Sequence, residues 1–513
     1  MSTVKKVRLR YAPSPTGPQH IGGIRTALFN YLFVKKNNGT LILRSEDTDQ
    51  SRFVPGAEDY IINSCKWAGI TFDEGIHIGG PFAPYRQSER KHLYLQYAQQ
   101  LIESGNAYYA FDTQEELEDM RKRMTDQGNP SPAYDHITRQ YMKNSLTLSH
   151  DEVKERLANN TPYVIRISMP RNEEIKFNDL IRGWVVFNSN QLDDKVLFKS
   201  DGMPTYHLAN VVDDYLMQIT HVVRGEEWLP SAPTHVILYR YLGWEEAMPL
   251  FAHLPLVLKP EGNGKLSKRD GDRLGFPIYT LDWENPLTGE KISGLAERGF
   301  LPEAYMNFLA MLGWHPGGDQ EVFSPEELIE AFTIERVGKS GARFDPEKAK
   351  WINQQHIKMR SGEALATLLQ STLDLHEIKA DKNYVAAVCE LMKERAVFIP
   401  DLYEQGIYFF KDVESYDETI IRKKWKKEKS NIFESLAELL ENTDNFTVEN
   451  LEKIVKQFMT DNQLNSGEVM PILRLAMAGG LQGPPVFNMM HVLGKNISVN
   501  RLIFAIKKFN TLH

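Results

Sequence analysis

Cysteine is nearly absent: the 513-residue chain has two, Cys65 and Cys389, far apart in sequence. Two thiols cannot build a four-cysteine metal site, and a disulfide framework is not expected. Long apolar runs are missing too, since no window approaches the roughly 20 apolar residues of a membrane span. The opening, Met1-Ser2-Thr3-Val4-Lys5-Lys6-Val7, lacks the apolar core of a secretory signal. A cytoplasmic protein with no membrane attachment is therefore expected. There is no compositionally biased tract suggesting disorder, and no internal repeat with a period of roughly 20 to 50 residues. An excess of positive charge is missing as well, the formal net charge being −8. Net charge is not the field at a site, so this value neither supports nor excludes RNA binding.

The length exceeds what one hydrophobic core usually supports, so several domains are expected. Val7 to Ala12 alternates apolar and basic residues as a short strand. The turn-rich stretch Pro13 to Gly23 follows, then a helical pattern with Ile24, Ala27, Leu28, Tyr31 and Leu32 on one face. Asn37-Asn38-Gly39 ends that helix, and Thr40 to Arg44 reads as a second strand. Strand, loop, helix and parallel strand make the opening of a doubly wound nucleotide-binding fold. Helical pieces continue at Gly56–Ile62 and from Lys91 to Gly105.

From about residue 107 the pattern changes. Thr113-Gln114-Glu115-Glu116 is a capping box, Gly128 to Pro132 breaks the helix, and strand-like runs follow at 163–167, 184–187 and 195–198. Residues 107–204 read as an insertion, after which core segments resume at Tyr206–Val212, a helix, and His221–Arg224. Beyond about residue 320 the pattern is helical. Ser324-Pro325-Glu326-Glu327 supplies a helix start, and Thr447 a candidate cap for Leu451, Ile454, Val455 and Phe458.

Two motifs carry chemistry. In the first, His20-Ile21-Gly22-Gly23 sits where a loop becomes a helix. Helix N-termini offer N–H groups and partial positive charge to phosphate, and a histidine there can donate to a phosphate oxygen. In the second, Gly264-Lys265-Leu266-Ser267-Lys268-Arg269-Asp270 gathers cations that can neutralise charge on a pyrophosphate leaving group. It is not a P-loop, because Leu266 stands where Ser or Thr would be needed. Alone, each motif is also compatible with an ordinary surface loop.

Together they resemble the HIGH and KMSKS motifs of class I aminoacyl-tRNA synthetases, with Gly23 in place of the second His and Leu266 in place of Met. Arg10-Tyr11-Ala12-Pro13-Ser14-Pro15-Thr16-Gly17, Arg44-Ser45-Glu46-Asp47-Thr48-Asp49 and Tyr85–Arg90 narrow the resemblance to the bacterial-type glutamyl-tRNA synthetases. So do Pro204–Asp214 and Arg224-Gly225-Glu226-Glu227-Trp228. Glutaminyl enzymes open differently and carry β-barrels in the second half. The short relative that modifies a tRNA base lacks the helical half.

The resemblance implies a Rossmann-type α/β domain with an α+β insertion, followed by an α-helical anticodon-binding half. Its parts would be 1–106 and 205–258 for the catalytic domain, 107–204 for the acceptor-end insertion, 259–345 for the lysine loop and stem contact, and 346–513 for the anticodon. It implies ATP with Mg²⁺, L-glutamate and tRNA(Glu) as partners of a monomer. Glutamate would meet Arg10, Ser14, Glu46, Tyr206, Asn210 and Arg224, with Arg10 favoured for the side-chain carboxylate and Glu46 for the ammonium. ATP would meet His20, Gly22, Glu227, Trp228, Leu266 and Lys268, and His20, Lys265 and Lys268 would be the catalytic groups. Arg395 falls where an arginine reads the last anticodon base in members that exclude glutamine tRNA. The basic run Arg422–Lys429, with Trp425 inside it, reads as a solvated helix face rather than an RNA surface. Asp272 to Gly294 is longer than the family usually carries. Alternatives are an enzyme that also charges tRNA(Gln), and a small-substrate nucleotidyltransferase, which would lack the helical half.

Some relatives hold zinc through cysteines near the start of the insertion, whereas Ala107-Tyr108-Tyr109-Ala110-Phe111-Asp112 has none. Exhaustive dialysis against a chelator is therefore expected to leave the melting temperature unchanged; a drop reversed by zinc would contradict the reading.

Overall fold

The computed structural model describes residues 6–262 and 264–512, with Lys268 described in its backbone only. The chain divides into two compact units, Met1–Glu297 with Tyr305–Pro346, and Arg298–Ala304 with Glu347–His513.

The first unit opens on β1 (Arg8–Tyr11), α1 (Ile21–Lys36) and β2 (Thr40–Leu43). β1 and β2 pair in parallel with Leu9 opposite Leu41, both fully buried, as strands covered on both faces require. Ile24, Ala27, Leu28 and Leu32 of α1 are buried. The helix ends with Lys35 and Lys36 facing its negative pole, and Asn38 takes a φ of 49° just beyond. β3 (Glu74–Gly75) adds in parallel to β2, and α2 (Lys91–Glu103) follows.

The stretch 107–204 contributes two structures. β4 (Ala107–Ala110), β5 (Val164–Ile167) and, later, β8 (Val196–Phe198) make an antiparallel sheet in the order β4-β5-β8. Between them, β6 (Glu174–Asp179) and β7 (Gly183–Asn188) form a hairpin that leaves this sheet. The chain then returns through α3 (Tyr206–Leu216), β9 (His221–Gly225), α4 (Ala232–Tyr241) and β10 (Leu250–Leu254). The hairpin joins this second half, giving the order β7-β6-β10-β9. The capping box at Thr113 is formed, its hydroxyl and the Glu116 carboxylate each taking the other's backbone N–H.

β1 lies beside β9, since the Arg8 N–H donates to Thr220 Oγ1 and the Thr220 N–H to Arg8 O, both at 2.9 Å. The strands thus run β3-β2-β1 and then β9-β10, with the winding reversed between β1 and β9. That reversal is where open α/β sheets bind ligands, beyond the carboxyl ends of the strands. Asp213 ties α3 to α2 behind it. Its buried carboxylate accepts from Arg90 Nε at 2.7 Å, Gln87 Nε2 at 3.0 Å and Tyr94 Oη at 2.8 Å. The string Tyr85–Arg90 is thus a fastening between helices.

The second unit is helical. Helices Gly362–Leu375 and Lys382–Met392 start at Ser361 and Asp381, whose side chains accept the first free N–H groups. Thr447 does occupy the N-cap of Val448–Asp461, but its hydroxyl makes no capping bond. Trp425 is 1% exposed, packs on Phe433 and Phe509, and donates from Nε1 to Asn510 at 3.1 Å. It is a core residue, so the basic run around it offers no stacking platform.

Removing Asp213 would strand the Arg90 guanidinium, which is 3% exposed. Asp213→Ala is expected to cost about 3–5 kcal/mol of stability, the usual penalty for breaking a buried pair. Urea unfolding measures it, and a loss below about 1 kcal/mol would mean the network is not structural.

Candidate active site

A cavity of about 360 Å³ opens at the β1–β9 reversal, lined from β1, the Pro13–Gly23 loop, the start of α1, α3, β9 and the lysine loop. All six residues assigned to glutamate line it: Arg10, Ser14, Glu46, Tyr206, Asn210 and Arg224. His20, Gly22, Glu227, Trp228 and Lys265 line it as well. Leu266 does not, being 2% exposed with its N–H donating to Val257 O. The side chain of Lys268 lies outside the described residues. Arg395 is exposed in the second unit.

Backbone geometry shapes the entrance. Gly17 has a φ of 134°, in the region that favours glycine, so the Pro13–Gly23 loop can turn there. His20 is the N-cap of α1, its Nδ1 accepting from the Gly22 N–H at 2.9 Å, which puts the ring proton on Nε2. The first N–H groups of α1 are already engaged: Ile21 donates to Ile278 O, Gly22 to His20 Nδ1, and Gly23 to His20 O. A phosphate here would therefore meet the helix dipole and side chains more than vacant N–H groups. Ile278 belongs to the long segment after the lysine loop. Tyr279 bridges to His20, and Trp283–Glu284 pairs with Lys291–Ile292 in a small hairpin. The segment thus meets the start of α1 through Ile278 and Tyr279, while Trp283 of the hairpin packs on Tyr60.

The lysine loop is tied down at both ends. Ser267 caps α5 (Lys268–Leu274), its N–H and hydroxyl donating to Asp270 Oδ2 at 2.8 and 2.6 Å. Lys265 Nζ donates to Glu227 Oε1 at 2.9 Å. Burial raises the Glu227 carboxyl most strongly of any one cause, but the Lys265 bond, a backbone N–H and the charges of Lys265 and Arg25 together outweigh it, and the net shift is downward. A Cβ at Gly225 would lie 2.0 Å from Glu227 Oε2, so glycine leaves room for that side chain to fold back.

On the amino-acid side, Asp214 of α3 is shared by two arginines. Arg10 Nε donates to its Oδ1 at 3.0 Å, and Arg44 Nη1 to the same oxygen at 2.7 Å. Arg44 also reaches Glu46 Oε1 at 3.0 Å, and Asn210 Nδ2 donates to that oxygen at 2.8 Å. Burial pushes the Asp214 carboxyl up, and the two guanidiniums more than reverse this, holding it below the usual carboxylate range. Arg10 and Arg44 are thus balanced by Asp214 and Glu46.

Arg224 is different. It is 5% exposed, yet its hydrogen bonds run to neutral acceptors: Tyr206 Oη at 2.9 Å, His253 Nε2 at 3.1 Å, Trp228 O at 3.3 Å and His235 Nδ1 at 3.4 Å. No carboxylate among the described residues pairs with it directly. Burial, with Arg224 beside them, keeps both His235 and His253 below the ordinary histidine value. The cluster is suited to an anionic ligand carrying one more negative than positive charge.

The sequence reading gave no role to Arg44 or Asp214, although both stand in the strings that carried the resemblance. His253 and Asp179 had no signal at all, being ordinary strand residues 74 positions apart. Arg25 was missed too. It is buried inside α1 and donates from Nη1 to Leu312 O at 2.9 Å and from Nη2 to Pro255 O, fastening the helix beneath the cavity.

Comparison with known proteins shows what the whole chain resembles. The family model for the catalytic domain of class I tRNA synthetases (E and Q) matches residues 6–351, and the anticodon binding domain model matches 364–506. Glutamate–tRNA ligase from Cytophaga hutchinsonii is 54% identical over 505 residues, covering 98% of each chain. The enzyme of that name from Porphyromonas gingivalis (strain W83) is 53% identical, covering 98% of this chain and 99% of its own. A crystal structure of a glutamate tRNA ligase from Elizabethkingia meningosepticum, in complex with its amino acid, superposes with a TM-score of 0.94 at 47% identity. That match covers 98% of this chain and 100% of the other.

The buried histidines predict a pH dependence of stability. Burial lowers His207 to about 4, and lowers His235 and His253 as well. Unfolded histidines take up protons near the ordinary value, about 6.5, while the folded ones stay neutral to lower pH. The unfolded state therefore binds more protons in that window, and stability falls as pH drops, by about 1.4 kcal/mol per pH unit for each histidine. Urea unfolding at pH 7.5 and 5.5 tests this; equal stabilities would contradict burial of neutral rings.

Proposed function

The chain belongs to the glutamate–tRNA ligases, class I aminoacyl-tRNA synthetases, and from that membership we propose how its cleft performs the two-step reaction. The observation that carries the residue assignments is Arg224, a buried cation in contact with neutral acceptors only. Glutamate brings two carboxylates and one ammonium, whereas glutamine brings one of each. Only the former supplies the surplus negative charge, and a guanidinium can grip a carboxylate through paired hydrogen bonds.

In this reading Arg10 takes the side-chain carboxylate, its Nε edge already held by Asp214. Arg224 with Tyr206 completes the carboxylate grip, Glu46 takes the ammonium beside Asn210, and Ser14 closes the pocket. ATP lies toward Gly22, Glu227 and Trp228. The α-carboxylate oxygen attacks the α-phosphorus, the bond to pyrophosphate breaks, and glutamyl-adenylate forms. A terminal ribose hydroxyl of tRNA(Glu) then attacks the carbonyl carbon and releases AMP. Neither step needs a covalent protein nucleophile, so the protein's part is positioning and charge stabilisation. His20, which carries its ring proton on Nε2, donates to the phosphates. Lys265 and Lys268 neutralise the leaving pyrophosphate, Lys265 first releasing Glu227.

Class I enzymes use ATP with Mg²⁺ in general. No group of three or more His, Cys, Asp or Glu that could hold a metal is found among the described residues. The lining carboxylates Glu46 and Glu227 are engaged by Arg44, Asn210 and Lys265. This donor set suits an ion carried in on the triphosphate with water in its other positions. The working unit is one cytoplasmic chain with one tRNA, residues 107–204 meeting its acceptor end. The helical unit meets the anticodon, Arg395 at its last base.

The test is transfer of labelled glutamate, and separately glutamine, to purified tRNA(Glu) and tRNA(Gln). Glutamate on tRNA(Glu) alone is expected. His20→Ala or Lys268→Ala should lower kcat by about 10²–10³-fold, the usual cost of losing one charge-stabilising donor. If either variant instead abolished glutamate binding while turnover at saturation survived, the assigned roles would be wrong.

A further inference from the structure

Three adjacent strands carry a row of buried polar side chains that ends at Arg224. Asp179 is the last residue of β6 and pairs with Phe251 of β10. His253 stands two residues along β10, and its register partner on β9 is Arg224. The side chains of Asp179 and His253 are wholly buried. Asp179 Oδ1 accepts the N–H groups of Ile181 at 3.0 Å and Arg182 at 2.9 Å. Its Oδ2 lies 3.1 Å from the His253 N–H and 2.6 Å from His253 Nδ1. A carboxylate surrounded by donors has only acceptors to offer, so the proton between the two rests on His253 Nδ1. Nε2 is then a lone pair, and it accepts from Arg224 Nε at 3.1 Å.

We propose that Asp179 and His253 are the positioning pair of Arg224: the carboxylate sets the histidine tautomer, and the histidine sets the plane of the guanidinium that grips glutamate. The inference rests on the reading of Arg224 as a glutamate ligand. Arg224 Nη1 is directed by Tyr206 and His235, and Nη2 by the carbonyl of Trp228. Without the His253 lone pair, no neutral acceptor would hold the Nε edge, and the guanidinium plane would lose one of its fixed points. An imidazole is the suitable spacer. A carboxylate placed directly on Arg224 would neutralise the charge that the ligand must meet, whereas a neutral ring fixes the orientation and leaves the charge available. Protonation of Nε2 would turn two donors toward each other. The groups facing the ring are Asp179 from β6, Arg182 from the β6–β7 turn, Arg224 from β9 and His235 from α4. Burial first, then the arginines, oppose the charged ring, while Asp179 favours it, and the net shift is downward.

The experiment is charging of tRNA(Glu) by the full chain, with glutamate and ATP varied separately and melting temperatures recorded. Asp179→Asn keeps an acceptor for the turn N–H groups but presents an amide donor to Nδ1, which moves the proton to Nε2 against Arg224. It is expected to raise KM for glutamate by about ten- to a hundredfold, the range for a hydrogen bond to a charged group. KM for ATP and kcat should stay near wild type. His253→Phe should show the same split, and His253→Gln, which retains a donor and an acceptor, should recover most of the affinity. In the wild type KM for glutamate should rise as pH falls below the ordinary histidine range, and in His253→Gln that rise should be absent. Arg224→Met separates the two readings. If it leaves KM for glutamate unchanged, Arg224 is not a ligand and its assignment fails. If it raises KM while Asp179→Asn and His253→Phe do not, the ligand assignment stands and the positioning pair is overturned. Equal behaviour of His253→Gln and His253→Phe, or lowered kcat and melting temperature with unaltered KM for glutamate, also overturns it.

Discussion

The carboxylate of Asp214 is the contact on which the amino-acid side of the cleft depends. One oxygen receives a guanidinium from β1 and another from the residue that follows β2, so a single helix residue holds two strand ends in register. The side chains of Arg44 and Asp214 are 0% and 2% exposed, and such charges are tolerated only when each meets its partner. Because Asp214 is occupied on its strand side, Arg10 keeps its Nη edge for the cavity. Because Arg44 extends to Glu46, that carboxylate is aimed and not merely present. The second half of the sheet handles Arg224 in the opposite way, surrounding it with hydroxyl, imidazole and carbonyl groups. The cleft thus sets Arg10, paired with a carboxylate, across from Arg224, which meets none, and the difference lies in their neighbours.

Much of this was legible in the sequence because it was written locally. The strand–loop–helix–strand opening followed from alternation, turn residues and a 3.6-residue period, and α1 and β2 form where those patterns place them. The capping boxes at Thr113 and Ser324 needed only four residues each. Most of the residues that the resemblance singled out were brought to one cavity, and those that line it sit in short matched strings. What escaped was set by long-range pairing. Asp179, His253 and Arg224 form a row only because β6, β10 and β9 lie side by side, and no local pattern encodes that adjacency. Trp425 escaped for a related reason: a tryptophan between lysines reads as surface until the helix that covers it is known. Thr447 is a reminder that a capping residue type fixes a position more reliably than it fixes a bond.

The lysine loop and the segment after it belong to the same mechanical arrangement as α1. Ile278 and Tyr279 meet the first residues of that helix, while Asp270 holds the loop's own helix start. The histidine of the first motif and the segment that follows the cations of the second are therefore connected through the backbone. The segment from Asp272 to Gly294 gives that connection a hairpin and a buried tyrosine, Tyr279, which is 5% exposed.

The seam between β1 and β9 joins residues 212 positions apart, and a folded insertion lies between them. On a ribosome adding about 5–20 residues per second, the first strands would wait some tens of seconds for their neighbours. During that interval β1 presents an unpaired edge, the kind of surface that recruits foreign strands. The antiparallel sheet of the insertion can close on itself while β1 waits. Its hairpin β6–β7 cannot, since β10, which it joins, is made last. Birth order thus makes β10 the final piece of the sheet, and an arrest of synthesis before residue 250 would leave two exposed edges.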